Sequence, residues 1–196
     1  MALADKERWN EKYEDNKIPQ IPLGLISDYS SLARGKKVLD IACGMGRHSK
    51  YLASKGFEVH ALDISSVAIA QLQGLANIKA EEVDFDNYIL AKDAYDMIVC
   101  TYFLERKLFA QMIDALKPKG LILIETFLHH PDNERLPSNP AFRLNEGELE
   151  AFFDEQCELL HIKEYWDEDY LGYKTMKTAM VARKKSGGMN DEDFWA

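Results

Sequence analysis

Val38-Leu39-Asp40-Ile41-Ala42-Cys43-Gly44-Met45-Gly46-Arg47 is the stretch that decides the fold. Residues 37–41 read as a buried strand. The small residues after them allow a tight turn and let a ligand come close to the backbone. Residues 46–54 then read as a helix, with Gly56 just past its end. A helix opening directly after a strand presents unpaired N–H groups to an anionic part of a ligand.

The same alternation extends on both sides. Residues 57–62 predict a second strand. Ser65 caps a helix running to about residue 75, and residues 78–83 form a third strand. Residues 95–100 follow as a fourth strand. A helix over 107–116, halted by Pro118, leads to a fifth strand at 121–124. Upstream, residues 3–14 are amphipathic and helical, Pro19 and Pro22 break the pattern, and 25–33 read as a short helix. Strands alternating with helices predict a parallel sheet covered on both faces. Right-handed crossovers then bring the carboxyl ends of the strands to one edge, where ligands of such sheets bind.

The pattern changes after residue 125. Residues 129–139 are polar and proline-containing, hence a loop. Asn145 with Glu148 resembles a capping box and predicts a helix to about 155. The runs 158–166 and 173–183 are strand-like with a turn between them, so they pair as an antiparallel hairpin. The expected fold class is α/β: a seven-stranded, mostly parallel sheet with helices on both faces and a C-terminal antiparallel hairpin. Residues 1–184 are expected to form one domain, with 1–34 as a helical cap and 185–196 as a flexible acidic tail.

Three acids mark the carboxyl edge. Asp40 lies one residue before the end of the first strand. Asp63 ends the second, 17 residues after Gly46, where a carboxylate can accept hydrogen bonds from both hydroxyls of a ribose. Asp84 ends the third, followed by Phe85. There a carboxylate can take a hydrogen bond from an adenine amino group while an apolar neighbour lies against the ring.

This arrangement resembles the class I methyltransferases that use S-adenosylmethionine, over about residues 5–184. Residues 40–46 look like their first motif, Asp63 like their ribose acid, Asp84 like their adenine acid, Tyr95-Asp96-Met97-Ile98-Val99 like their fourth-strand motif, and Leu116-Lys117-Pro118-Lys119-Gly120-Leu121 like the turn before their fifth strand. Family members often have Gly at the positions of Ala42 and Lys119. Alanine is still small, and Gly120 remains to make the turn. Within the class the chain is most similar to small bacterial enzymes related to tellurite-resistance and thiopurine methyltransferases. Arg8-Trp9-Asn10-Glu11-Lys12-Tyr13 resembles their N-terminal helix, and Asn139-Pro140-Ala141-Phe142 their segment entering the last helix.

The resemblance implies a Rossmann-like methyltransferase with S-adenosyl-L-methionine as cofactor. It implies a cofactor site of Trp9, Tyr13, Asp40, Ala42, Cys43, Gly44, Gly46, Arg47, Asp63, Ile64, Asp84, Phe85, Cys100 and Thr101. The sulfonium carries the activation, so the protein mainly aligns a nucleophile with the methyl group. Direct in-line transfer to a small-molecule acceptor is expected. Tyr102, Arg106, Glu125, Phe127, His129, Asn139 and Phe142 are the candidates to line the acceptor site. No Ser-His-Asp or Cys-His spacing calls for a covalent intermediate.

Composition narrows the partners. The chain carries 24 Lys and Arg against 33 Asp and Glu, a net charge of −9, and that field repels a phosphate backbone, so nucleic acid is not an expected partner. No run approaches the roughly 20 apolar residues of a membrane helix. The start has no basic segment followed by an apolar core, so a cytoplasmic protein is expected. The three cysteines, Cys43, Cys100 and Cys157, are widely spaced and suggest neither a disulfide framework nor a zinc site. The adjacent His129 and His130 lack a third ligand at useful spacing, so no metal is expected. Two other readings remain: a non-catalytic partner-binding module on the same fold, and a nicotinamide-dependent oxidoreductase. The second is weakened because Gly44-Met45-Gly46-Arg47-His48-Ser49 lacks the third glycine of the dinucleotide fingerprint.

Overall fold

A computed structural model describes residues 2–14, 19–137, 139–168 and 171–186. The strand expected at the deciding stretch is β1 (Lys37–Ile41), and it lies mid-sheet. Parallel to it on one side run β2 (Glu58–Asp63) and then β3 (Ile78–Glu82). On the other side lie β4 (Tyr95–Thr101) and β5 (Leu116–Phe127). The hairpin of β6 (Cys157–Glu168) and β7 (Lys174–Lys184) completes the sheet by pairing β7 antiparallel to β5. The order is β3-β2-β1-β4-β5-β7-β6 in one seven-stranded sheet. Residues 187–196, which hold most of the expected acidic tail, fall outside the described residues.

In β1, β2, β4, β5 and β7 period-2 alternation gives two buried rows, because the middle of the sheet is covered on both faces. Val38, Val59, Met97, Val99, Leu121, Leu123 and Val181 pack with Leu25, Ile26, Leu52, Ile69 and Leu72 from α2 (Gly24–Tyr29), α3 (Arg47–Ser54) and α4 (Ser66–Ala70) and from the turn after α4. Leu39, Ile41, Leu62, Ile98, Ile122, Ile124 and Met180 pack on the other face. They meet Leu108, Phe109, Met112, Leu149 and Phe153 from α5 (Leu108–Ala115) and α6 (Glu148–Phe153). Helix α1 (Ala2–Glu14) lies outside these layers. Its Asn10 accepts from Ser65 Oγ at 2.6 Å and donates to Ser66 Oγ at 3.2 Å, and Lys6 pairs with Glu82.

Several boundaries differ from the expectation. Helix α4 stops at Ala70, and the chain turns through Gly74, whose φ is +76°. Pro118 does not separate a helix from a later strand. Instead α5 ends at Ala115 and β5 begins at once, with Leu116 opposite Tyr95. Residues 117–120 form the irregularity that resets the register to Met97 opposite Leu121, and a proline is tolerated there because it owes no ladder hydrogen bond. Within that irregularity Lys119 adopts the left-handed conformation, with φ at +64°, so Lys119 makes the turn assigned to Gly120. Gly120 is needed for space instead, since a Cβ there would stand 2.9 Å from the Lys117 carbonyl oxygen. Ala42 is left-handed too, with φ at +52°. Ala42 and Lys119 thus both sit in the backbone conformation that glycine adopts most readily.

Candidate active site

The carboxyl ends of β1, β2, β4 and β5 meet at one edge, and the turn after β1 forms its floor. Cys43, Gly44, Met45 and Gly46 are all buried. Gly44 (φ +53°) and Gly46 (φ +75°) are left-handed, and a Cβ on Gly46 would lie 2.3 Å from Leu72 Cδ2. Gly46 precedes α3, and no side chain caps that helix. Asp40, from β1, takes the backbone N–H of Ser49, and the N–H groups of Arg47 and His48 are left for another acceptor.

Asp63 holds the turn in place. Its Oδ2 accepts from the Gly44 amide at 2.8 Å, and its Oδ1 accepts from the Ser65 amide at 2.8 Å. The Ile64 amide adds a further bond. A carboxylate has about four acceptor positions, so with three taken one remains for a ligand hydroxyl. Asp40 is equally buried but faces inward, accepting from Ser49 Oγ at 2.5 Å. It secures the start of α3 from behind the turn. Burial raises the carboxyl pKa of both acids, that of Asp40 to about 7. A positive charge brought near these carboxylates would favour their ionised forms.

Asp84 is bound up with its own turn, accepting from the Asp86 amide at 2.9 Å and from Asn87 Nδ2 at 3.1 Å. Asp86 points away to Lys107 at 2.8 Å, which leaves Asp84 as the acid at this strand end. Phe85 is buried against Phe103, with ring centroids 5.2 Å apart. Cys100 is buried with its thiol directed to the Phe103 carbonyl at 3.6 Å. Trp9 and Tyr13 stack with centroids 5.5 Å apart and pack with Met45 and Ala68. A Cβ on Gly44 would lie 2.8 Å from the Tyr13 hydroxyl, so α1 covers the glycine turn.

His48 ties three segments together. Its Nε2 accepts from the Leu23 amide and its Nδ1 meets Thr101 Oγ1, each at 3.4 Å. The acceptor role at Nε2 places the proton on Nδ1 and makes the ring neutral. Burial lowers its pKa to about 3.

Of the residues expected to line the acceptor site, the structure gathers Tyr102, Glu125 and Phe127. Tyr102 is left-handed, with φ at +54°. Its hydroxyl donates to Glu125 Oε1 at 3.2 Å, and its ring lies 5.3 Å from that of Phe127. The guanidinium of Arg47, first residue of α3, stands 5.2 Å from the Tyr102 ring centre, so this cluster adjoins the glycine turn. Arg106 does other work: it makes paired bonds to Glu148 and also donates to the carbonyls of Ala141 (2.8 Å) and Arg143 (2.9 Å). It clamps the 139–148 segment. Asn139 caps the short turn Pro140–Phe142 by accepting from the Ala141 amide at 3.0 Å, Phe142 is half-buried in that turn, and His129 is exposed.

Three neighbours of the cluster did not emerge from the sequence: Lys177, Tyr165 and Asp167. Lys177 is only 3% exposed, yet it donates to the Tyr102 hydroxyl at 3.1 Å and to Asp167 Oδ2 at 2.7 Å. Tyr165 donates to Glu125. The usable signal was period 2 in β7, where Lys177 continues the inward row of Ala179 and Val181. Among the described residues no group of three or more His, Cys, Asp or Glu side chains is placed to hold a metal ion. No helix among them is long and apolar enough to cross a membrane. A hollow of about 410 Å³ between Lys37, Glu58, His60, Asn77 and Tyr95 opens at the amino ends of the strands, away from this edge.

A parallel sheet ending in an antiparallel hairpin, with a glycine turn bound to a strand-end acid, defines the S-adenosylmethionine-dependent methyltransferase class. The family described as "Methyltransferase domain" matches residues 16–158, and the chain belongs to it. It is 28% identical to the probable S-adenosyl-L-methionine-dependent methyltransferase TehB of Haemophilus influenzae, across 92% of this chain and 67% of that protein. The crystal structure of that TehB superposes with a TM-score of 0.74 at 27% identity, covering 90% of this chain and 67% of the other. A ubiquinone biosynthesis O-methyltransferase of Idiomarina loihiensis is 29% identical over 57% of this chain, which spans 50% of that relative's length. A Burkholderia thailandensis N-methyltransferase crystallised with S-adenosylhomocysteine shares the fold, with a TM-score of 0.67 at 19% identity over 94% of this chain and 89% of the other.

Proposed function

We propose that this protein transfers the methyl group of S-adenosylmethionine to a small-molecule acceptor in one direct, in-line step. The observation that carries this reading is the Gly44–Asp63 bond at the carboxyl edge, with the Tyr102–Glu125 cluster beside it. In this reading Asp63 takes a ribose hydroxyl on its remaining acceptor position. The start of α3 and Arg47 face the carboxylate of the cofactor. Asp84 and Phe85 receive the adenine, and the backbone of Cys100 and Thr101 borders the cofactor. Trp9 and Tyr13 close over it. The bound cofactor supplies an activated methyl group, and the chain contributes alignment and exclusion of water. The acceptor lies against Tyr102, Glu125 and Phe127, beneath the segment that Arg106 clamps. The net charge of −9 supports a small molecule over nucleic acid. A cytoplasmic location belongs to the same reading.

Calorimetry with S-adenosylhomocysteine and with NAD is the first test. Tight binding of the former and none of the latter is expected. The reverse would establish the nicotinamide reading, and binding of neither, together with a stable protein complex, would establish the scaffold reading. A screen of thiols, phenols, selenite, tellurite, thiopurines and amines with labelled methyl donor then identifies the acceptor.

A further inference from the structure

Glu125 is a buried acid whose carboxylate receives two phenol hydroxyls, from Tyr102 and Tyr165. The Tyr102 oxygen in turn receives the Lys177 ammonium, itself fixed by Asp167. A network built only to hold the hairpin against the sheet would not require Tyr102 to adopt φ +54°. Such strain persists where a side chain has to be aimed. Tyr102 is also the half-buried member of a chain whose ends, Glu125 and Lys177, are 4% and 3% exposed. It is the one placed to meet a ligand at the strand edge.

We infer that Tyr102 and Glu125 form a proton relay for an acceptor that arrives protonated, which assigns the acceptor to the hydroxyl class of phenols and enols. This rests on the methyltransferase reading above. The acceptor O–H gives its proton to Tyr102 Oη as Tyr102 passes its own to Glu125 Oε1. Tyr102 ends neutral, Glu125 ends as the neutral acid, and the electron pair left on the acceptor oxygen is the nucleophile. As the oxygen–methyl bond forms, the donor's sulfur–methyl bond breaks and its electron pair stays on sulfur. Lys177 stabilises the negative charge that builds on the Tyr102 oxygen during the relay. Burial raises the proton affinity of Glu125, as a base working near neutral pH requires. An acceptor that is already an anion would need none of this.

The probe is 4-nitrocatechol, whose visible band reports its ionisation, added to the protein saturated with S-adenosylhomocysteine at a pH below the probe's own pKa. Wild type is expected to bind it with gain of the phenolate band. Glu125→Gln should bind it with that band lost, Glu125→Asp should restore part of it, and Tyr102→Phe should lose it. Removing one donor to the carboxylate with Tyr165→Phe raises Glu125 basicity and should enlarge the band. That variant also decides the matter if Glu125→Gln does not fold. With 3,4-dihydroxybenzoate and labelled donor, Glu125→Gln should lower turnover by roughly 10²- to 10⁴-fold. S-adenosylhomocysteine binding without any phenolate band, or a wild-type band in Glu125→Gln or Tyr165→Phe, overturns the relay. Failure to bind S-adenosylhomocysteine at all overturns the methyltransferase reading instead.

Discussion

The amide of Gly44 donates to the Asp63 carboxylate at 2.8 Å, so one side chain both shapes the glycine turn and keeps one acceptor position open to a ligand. Replacing Asp63 by Ala removes both. Hydrogen bonds to a charged group are each worth about 1.5–3 kcal/mol, so Asp63→Ala should weaken S-adenosylhomocysteine binding by roughly 10- to 100-fold. Calorimetry measures this. Unchanged affinity would remove Asp63 from the site.

The left-handed Ala42 and Lys119 predict stability gains. Lys119 is exposed, so Lys119→Gly loses little packing. Relief of the left-handed strain, less the entropy glycine gains on unfolding, should add on the order of 0.5–1 kcal/mol. Thermal melts should rise by about 1–4 °C. Ala42→Gly should act in the same direction, and a lower melting temperature for both would contradict the backbone explanation.

His48 and Asp40 lean the pH dependence of stability in opposite directions. His48 has its folded pKa lowered to about 3 from 6.5, so the unfolded chain binds its proton first, and stability drains away as pH falls from 6.5 towards 3. Asp40 has its folded pKa raised to about 7 from 3.8. The folded chain binds that proton first, and stability grows as pH falls from 7 towards 3.8. Wild type should therefore be flatter across this window than either variant. His48→Gln should gain stability on acidification relative to wild type and Asp40→Asn should lose it, as read from urea midpoints at several pH values.

Arg106 anchors the 139–148 segment through Glu148, Ala141 and Arg143. Arg106→Ala should speed proteolytic cleavage within that segment and raise KM for the acceptor. Affinity for S-adenosylhomocysteine should stay at the wild-type level, since the clamp does not touch Asp63 or the glycine turn. A drop in cofactor affinity without faster cleavage would contradict the clamp.

The architecture was legible because alternating strands and helices carry their own punctuation, such as Gly56 after α3 and Ser65 before α4. Strand ends also announced Asp40, Asp63 and Asp84. What each acid holds was not legible. Asp40 turns inward to Ser49 and Asp84 bonds its own turn, and neither orientation leaves a trace in spacing. Lys177 and Tyr165 were hidden because they come from the hairpin, some 40 residues or more after Glu125 in sequence, and only sheet pairing brings β7 beside β5. The reach of β5 was missed because Pro118 reads as a stop, whereas an irregular register can absorb a proline.

Helix α1 roofs the glycine turn, with Tyr13 above Gly44 and Asn10 latched to Ser65 and Ser66. On the methyltransferase reading proposed above, the donor binds beneath this roof at Asp63, and the latch would open to admit it and to release the spent nucleoside. On that reading, the pace of this door sets a ceiling on throughput however fast the chemistry below it runs.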